Sequence, residues 1–300
     1  MRVPMGEQIL DFPSENLGEL RDSNDLLGDP AGLRQRMADD GYLLIRGLID
    51  REKVLTSRRR IMEYMSEQEA LVPGEPVLEG VMPQDGRGVN MMGRKGVTHH
   101  PDVRLTLEAE ELFNFWSRFF DEPARTFDYK WLRAVGHEAF TGAHYDVVYM
   151  GRGSGNLHTT WLPMGDINIE QGTLAICVGS HNLPGFEKVR STYGRMDVDR
   201  DRVAGWFSGD PLEITGKFGG QWKTTHFQAG DILCFGMFTM HGSTTNTTHR
   251  YRLSCDVRFQ PASDPVDERW VGENPVGHYG WHSQPDKLTP MEAARAEWGV

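Results

Sequence analysis

Short hydrophobic segments separated by polar turns fill the second half of the chain. Gly, Asn and Asp residues separate these segments, which is typical of short β-strands. In the last of them, hydrophobic side chains at every second position alternate with polar and charged ones, which predicts a strand with one apolar and one charged face. The segments that predict strands include TTWLPMGDI, GTLAICVG, GDILCFGMFTMH and RYRLSCDVRFQP.

The first part of the chain has a different pattern, in which hydrophobic residues recur at helical spacing. The segment DDGYLLIRGLIDREKV predicts a short strand followed by a helix that Asp50 caps. Residues 105–120 carry Leu112, Trp116 and Phe119 on one helical face, which predicts a helix packed into a core. Residues 71–98 are rich in Gly, Pro and Met and predict an extended loop.

Helices followed by many short strands predict an α+β protein with a mainly β core, arranged as a sandwich or barrel. We expect one domain over residues 1–300, with a helical part at about 1–125, a core at about 126–262 and a C-terminal tail. Residues 183–221 interrupt the strands with charge and glycine. They predict an insertion over one mouth of the core.

Composition and charge restrict the partners. The 300 residues are 38% hydrophobic and 25% charged, with a formal net charge of −11. This acidic balance argues against binding to nucleic acid or an anionic membrane and favours a small-molecule partner. No apolar run is long enough to span a bilayer. The three cysteines form no CxxC motif, which favours a reducing compartment, and we expect a cytoplasmic protein. No pattern indicates the oligomeric state.

One polar triplet raises a question of chemistry. His144 and Asp146 lie two residues apart in TGAHYDVVYMGRG, and on a strand both side chains would project from the same face. His241 ends a later apolar segment and supplies a third ligand. Two histidines and a carboxylate leave three positions of an octahedral metal open, which non-haem Fe(II) oxygenases favour. A 2-oxo acid would fill two of them, and the guanidinium of Arg252 would suit its far carboxylate.

Other interpretations of these residues remain open at this stage. Two histidines and a carboxylate also hold Zn²⁺ with an open water position, so a zinc-dependent hydrolase is one alternative. A catalytically silent jelly-roll binding protein is another. Arg250 competes with Arg252 for the anchoring role. His158, Arg133 and Arg152 could each face a pocket, although a structural role is the simpler interpretation for them.

In combination, several segments resemble the phytanoyl-CoA dioxygenase family of Fe(II)- and 2-oxoglutarate-dependent oxygenases. The resemblance covers most of the chain and implies a double-stranded β-helix, also called a jelly roll and cupin-like, with helices packed on one sheet. It also implies Fe(II), the cosubstrate 2-oxoglutarate and O₂. The segments that carry it are DDGYLLIRGLIDREKV, HYD, TLAICVGSHN, FQAGDILCF and HGSTTNTTHRYRLSCDVRF.

The resemblance also assigns roles. By this resemblance His144, Asp146 and His241 match the iron ligands. Arg252, eleven residues after the distal histidine, matches the arginine that binds 2-oxoglutarate. Ser243 matches its hydroxyl neighbour, and Trp161 and, less directly, Trp131 match aromatic side chains beside the cosubstrate.

The expected reaction is hydroxylation of an aliphatic C–H bond of a small molecule, with release of succinate and CO₂. The carboxylate ligand is present, whereas related halogenases replace it with a small residue. Two departures are visible: Val178 stands where the family commonly has proline, and the 183–221 insertion has no motif that aligns.

Overall fold

The computed structural model describes residues 1–84, 86, 88–278 and 287–300. Its strands are β1 (Arg2–Met5), β2 (Gln8–Asp11), β3 (Leu17–Glu19), β4 (Tyr42–Ile45), β5 (Val89–Asn90), β6 (Ala124–Thr126), β7 (Trp131–Val135), β8 (His158–Pro163), β9 (Leu174–Val178), β10 (Gln221–Thr224), β11 (Ile232–Gly236), β12 (His241–Ser243) and β13 (Arg252–Pro261). Its α-helices are α1 (Pro30–Asp40), α2 (Arg51–Glu67), α3 (Lys95–Thr98), α4 (Pro101–Leu107), α5 (Glu110–Phe120), α6 (Val147–Met150), α7 (Glu187–Ser191), α8 (Val198–Asp201), α9 (Pro211–Phe218) and α10 (Met291–Trp298).

Two facing sheets form the core. The larger sheet has the order β4-β11-β8-β13-β7-β5, with β6 also paired to β13, and the smaller has the order β12-β9-β10-β3. Only the β3–β10 pair is parallel among these pairings. Hydrophobic side chains from both sheets meet between them, including Trp161 and Leu233 from the larger and Ile176 from the smaller. The predicted α+β class with a jelly-roll core is confirmed, and the two sheets do not close into a barrel.

Strand β13 shows how the sequence pattern becomes a layered structure. Leu253, Cys255, Val257 and Phe259 pack into the cluster that also contains the apolar faces of α2, α4 and α5. The alternate residues Arg252, Ser254, Asp256 and Arg258 point to the space between the sheets and are also buried. The aromatic stripe of α5 is therefore core packing, as predicted. A strand buried on both faces can carry arginines only where other groups solvate them.

The second helical layer was not foreseen. Residues 183–221 form α7, α8 and α9, and their side chains Phe186, Val189 and Ile214 pack with Cys177 and Trp222 of the smaller sheet. Helix α10 joins the same cluster through Met291 and Ala294. This segment thus covers the outer face of the smaller sheet, whereas the sequence suggested only a cover for one mouth. Its apolar residues are spread among short helices, so no periodic pattern revealed them.

The N-terminal part contains strands as well as helices, and of these strands the sequence predicted β4 but not β1, β2 or β3. β3 pairs with β10 in the smaller sheet, and β4 pairs with β11 in the larger. The described residues between 71 and 98 are mostly irregular, as predicted, and contain β5 and the four-residue helix α3. In the described part of the chain, no helix is both long enough and apolar enough to cross a membrane.

Candidate metal and cosubstrate site

Three side chains converge at one end of the space between the sheets. Asp146 Oδ1 lies 3.8 Å from His144 Nε2 and 3.7 Å from His241 Nε2. One ligand atom from each residue lies within 4.8 Å of the others, and all three residues are buried. The structure therefore brings together the three residues that the sequence singled out, at distances that suit one shared metal ion.

The backbone that carries His144 and Asp146 is not the continuous strand that their spacing suggested. His144 pairs with His241 in an isolated bridge, with N–O distances of 2.9 and 3.0 Å. After Tyr145 the chain turns, and Asp146 has helical dihedral angles, φ −67° and ψ −26°, as the N-cap of α6. The explanation by strand alternation was wrong. The two side chains converge because a bridge fixes His144 and a turn redirects Asp146.

Hydrogen bonds set the tautomer of both histidines. His144 Nδ1 donates to the carbonyl of Gly142 at 2.9 Å, and His241 Nδ1 donates to that of Thr239 at 3.0 Å. A carbonyl only accepts, so each Nδ1 carries the proton and each Nε2 presents a lone pair. Burial, together with neighbouring His241, lowers the pKa of His144 to about 3, and burial also lowers the pKa of His241. Both rings are therefore neutral at pH 7, as metal ligation requires.

The two oxygens of Asp146 face different partners. Oδ1 faces the histidines, whereas Oδ2 accepts a hydrogen bond from Thr159 Oγ1 and lies 3.2 Å from Arg258 Nη2. Burial raises the pKa of this carboxyl, but Arg258, the two histidines and Thr159 outweigh it and hold the pKa well below its usual range. Sequence reasoning missed Arg258 and Thr159. The alternation of β13 already placed Arg258 on the same face as Arg252, and that signal could have identified it.

Arg252 is a buried cation that forms no ion pair with a carboxylate in the described part of the chain. Its side chain is 2% exposed, Nη1 donates to Ser254 Oγ, and Nε has no hydrogen-bond partner among the described residues. Burial and the nearby Arg133 lower its pKa to about 10, although Asp256 opposes them. The Trp161 ring centroid lies 5.8 Å from the guanidinium carbon. A buried guanidinium with spare donors fits a ligand that brings its own carboxylate.

The rival arginine and His158 are placed away from this pocket. Arg250 is 55% exposed in its side chain and forms an ion pair with Glu79 at 2.5 Å. The ring of His158 packs against those of Trp116, Phe119 and Phe120, with centroids 5.0 to 5.6 Å apart, on the helical side of the larger sheet. Neither residue is positioned to contact a cosubstrate held by Arg252.

Ser243 and Trp131 occupy supporting positions. Ser243 is two residues after His241 on β12, and its Oγ accepts from the Thr141 amide at 2.9 Å. It therefore helps to hold the segment that leads into His144. The Trp131 ring stacks with Arg258, 4.7 Å from the guanidinium carbon, and not with Arg252. Arg152 is bound by Asp197 at 2.5 and 2.9 Å, which indicates a structural role.

Comparisons with known proteins agree with this geometry. The family model for the phytanoyl-CoA dioxygenases (PhyH) matches residues 37–254. The chain belongs to the phytanoyl-CoA dioxygenase family. It is a non-haem iron, 2-oxoglutarate-dependent dioxygenase, as the sequence predicted, and its triad and Arg252 have the chemistry to hold those groups. Family membership favours this class over the zinc hydrolase and the silent binding protein.

The chain is also similar to individual curated proteins and solved structures. A 1-deoxypentalenic acid 11-beta-hydroxylase from Streptomyces arenae is 25% identical over 268 residues, which cover 83% of this chain and 88% of the relative. Among solved structures, the non-heme alpha ketoglutarate dependent epimerase SnoN from nogalamycin biosynthesis aligns with a TM-score of 0.55 and 18% identity, covering 84% of this chain and 94% of SnoN. EctD from S. alaskensis aligns with a TM-score of 0.56 and 14% identity, covering 96% and 98%. At these identities the two structures support the fold alone.

Proposed function

We propose that this dioxygenase hydroxylates an aliphatic C–H bond of a small molecule while 2-oxoglutarate is converted to succinate and CO₂. One observation carries the proposal: the three ligand atoms of His144, Asp146 and His241 lie within 4.8 Å of one another, in the same sheet interior as the guanidinium of Arg252, whose Nε has no hydrogen-bond partner among the described residues. The match to the phytanoyl-CoA dioxygenase family disfavours the zinc hydrolase.

Each residue of this set has a defined role in the proposal. The two Nε2 atoms and Asp146 Oδ1 hold Fe(II) and leave three coordination positions open. Bound iron, with 2-oxoglutarate and O₂, supplies the oxidising chemistry. Arg252 binds the far carboxylate of 2-oxoglutarate through its spare donors, and Trp161 borders that guanidinium. Ser243 supports the segment before His144 through the Thr141 amide.

A second cation on the same inner face favours a substrate with an anionic group. Arg133 Nε lies 3.2 Å from Asp256 Oδ2, and its side chain remains 35% exposed, unlike those of Arg252 and Arg258. An arginine that reaches solvent from the inner face can meet an entering carboxylate. The hydroxylase relative is named for an organic acid. We therefore propose a small organic acid, and hydroxylation of an acid but not of its methyl ester would support this.

We also infer a single domain that works in the cytoplasm. Cys177, Cys234 and Cys255 are all free and buried, which is compatible with a reducing compartment. Limited proteolysis that releases no stable fragment would support one domain, and recovery in the cytosolic fraction would support the location.

The decisive experiment is anaerobic addition of Fe(II) and 2-oxoglutarate to the metal-free protein. We expect the visible metal-to-ligand charge-transfer band of a chelated 2-oxo acid in the wild type and no band in His241→Ala. His249→Ala is the matched control, because His249 is exposed and stacks on His137, with ring centroids 4.6 Å apart. This control should keep the band. Folded, iron-loaded wild type that gives no band and forms no succinate would contradict the proposed function.

A further inference from the structure

Arg258 contacts the carboxylate that the proposed function assigns to iron, whereas that function assigns 2-oxoglutarate to Arg252. Its Nη2 lies 3.2 Å from Asp146 Oδ2, on the side of the carboxylate opposite the histidines. Its Nε donates to Met150 Sδ at 3.0 Å. Met150 ends α6, the helix that Asp146 begins, so one guanidinium contacts both ends of that short helix.

Strand register explains why Arg258 and Thr159 approach the same oxygen. Residues opposite each other on paired antiparallel strands share one face of the sheet. Arg258 on β13 is opposite Thr159 on β8, so both side chains point into the space between the sheets. Thr159 Oγ1 donates a hydrogen bond to Oδ2, and the guanidinium of Arg258 forms an ion pair with the same oxygen. The sheet therefore places one donor and one cation beside one oxygen and leaves the other oxygen to the histidines.

The arginine is itself held in place. Its side chain is 3% exposed, and its guanidinium carbon lies 4.7 Å above the Trp131 ring. A planar guanidinium that stacks on an aromatic ring and binds at two edges has little freedom to rotate. Asp146 thus lies beside a rigidly held cation, whereas a flexible lysine would allow the carboxylate to turn.

We propose that Arg258, with Thr159, is a positioning residue that restricts Asp146 to ligation through one oxygen. This inference rests on the proposed function, because it concerns the geometry of that metal site. A carboxylate with both oxygens free is able to take two coordination positions, as carboxylates do with other metals. Three single-atom ligands leave three positions, two for 2-oxoglutarate and one for O₂. A second oxygen from Asp146 would remove one of them.

The test uses Co(II) as a probe, because its visible absorption depends on the number and arrangement of its ligands. The variants are Arg258→Met, which removes the ion pair with Oδ2, and Thr159→Val, which removes the hydrogen bond to Oδ2, each at nearly constant volume. We expect both proteins to bind Co(II) with an altered spectrum and a weaker affinity for 2-oxoglutarate. The loss should be about 10- to 100-fold for Arg258→Met, in line with outer contacts at other metal sites, and smaller for Thr159→Val. Arg258→Lys should restore part of the affinity.

Arg133→Met is the matched control, since it removes a cation from the same inner face without touching Asp146; Arg133 binds Asp256 instead. Its Co(II) spectrum should match the wild type. Wild-type spectra and 2-oxoglutarate affinities in both Arg258→Met and Thr159→Val would overturn the positioning role. An equal change in Arg133→Met would also overturn it, because the effect would then be one of charge. If the wild type itself binds neither Co(II) nor 2-oxoglutarate, the proposed function fails instead.

Discussion

Two buried arginines in this protein have the same exposure and opposite surroundings. Arg252 and Arg269 are each 2% exposed. Arg269 donates through Nε to both oxygens of Asp267, through Nη1 to Asp199, and through Nη2 to Asp267 and the Tyr149 carbonyl. Arg252 donates only to Ser254 Oγ, and its Nε has no partner among the described residues. The two arginines are equally buried, so they differ in whether groups of the protein hydrogen-bond the charged guanidinium.

This difference in hydrogen bonding distinguishes Arg269, which has a structural role, from Arg252, for which we propose a binding role. A buried charge is costly unless it is paired and hydrogen-bonded, and Arg269 meets that condition within the chain. Through these bonds Arg269 joins α8, α6 and the 267–270 segment. Tyr149 is part of α6, and the centroid of its ring lies 5.6 Å from that of the His144 ring. Arg252 fails the condition in the absence of a ligand. The Nε of Arg252, which has no partner among the described residues, therefore supports a binding role for this residue beyond what its burial alone would support.

The largest expected effect comes from the satisfied arginine. Arg269→Met leaves Asp199 and Asp267 buried without their main cation, and breaking a buried pair on one side costs about 3 to 5 kcal/mol. We expect the free energy of unfolding to fall by that amount in denaturant titrations of the metal-free protein. The control Arg21→Met removes an exposed ion pair with Asp40 and should change stability by less than about 1 kcal/mol. Equal effects in the two variants would contradict the comparison.

The unsatisfied arginine should behave in the opposite way. Arg252→Met removes the proposed anchor for 2-oxoglutarate, and losing a charge-assisted pair of this kind costs about 3 kcal/mol, or roughly 100-fold in affinity. The free energy of unfolding should stay unchanged or rise, because the variant also removes an unpaired buried charge. Anaerobic titration of the charge-transfer band measures the affinity. A destabilised variant with normal 2-oxoglutarate affinity would reverse the roles assigned to the two arginines.

The sequence predicted the ligands better than the means by which they are held. His144, Asp146 and His241 were identifiable because their residue types are informative and a family resemblance fixed their spacing. The turn at Asp146 was not, since the sequence HYD is equally compatible with a strand. Arg258 was visible as one charge on an alternating face, but its contact with Asp146 depends on β13 pairing with β8. Such long-range pairing has no local sequence signal.

The same limit applies to the fold. The alternation of β13 and the helical stripe of α5 predicted their buried faces correctly, because each pattern lies within one element. The helices of residues 183–221 bury Phe186, Val189 and Ile214 against the smaller sheet. These residues are too far apart in short helices for any periodicity to appear. Arg269 was overlooked for a related reason: its partner Asp199 is far away in the sequence.

A histidine packed among aromatic rings extends the comparison to pH. Burial lowers the pKa of His158 to about 4, against about 6.5 in an unfolded chain, so below pH 6.5 the unfolded state binds the extra proton. The free energy of unfolding should therefore fall as the pH drops from 6.5 towards 4, by up to about 1.4 kcal/mol per pH unit from this group. His158→Phe should remove that share of the slope. It should also leave Co(II) binding intact, because His158 packs among Trp116, Phe119 and Phe120. An unchanged slope between pH 6 and 5 would contradict the assignment.

The smallest expected effects come from two tryptophans, each of which contacts a different arginine. Trp161 borders Arg252 and Trp131 stacks with Arg258, with ring-to-guanidinium distances of 5.8 and 4.7 Å. A buried cation–π contact is worth about 1 kcal/mol, so Trp161→Leu should weaken 2-oxoglutarate binding about fivefold. In the protein without 2-oxoglutarate, this variant should leave the Co(II) spectrum unchanged. Trp131→Leu should shift that Co(II) spectrum in the direction of Arg258→Met, because its ring holds the guanidinium that orients Asp146. Equal changes of the Co(II) spectrum in both variants would contradict these separate roles, in which Trp161 borders the 2-oxoglutarate anchor Arg252 and Trp131 supports Arg258 beside Asp146.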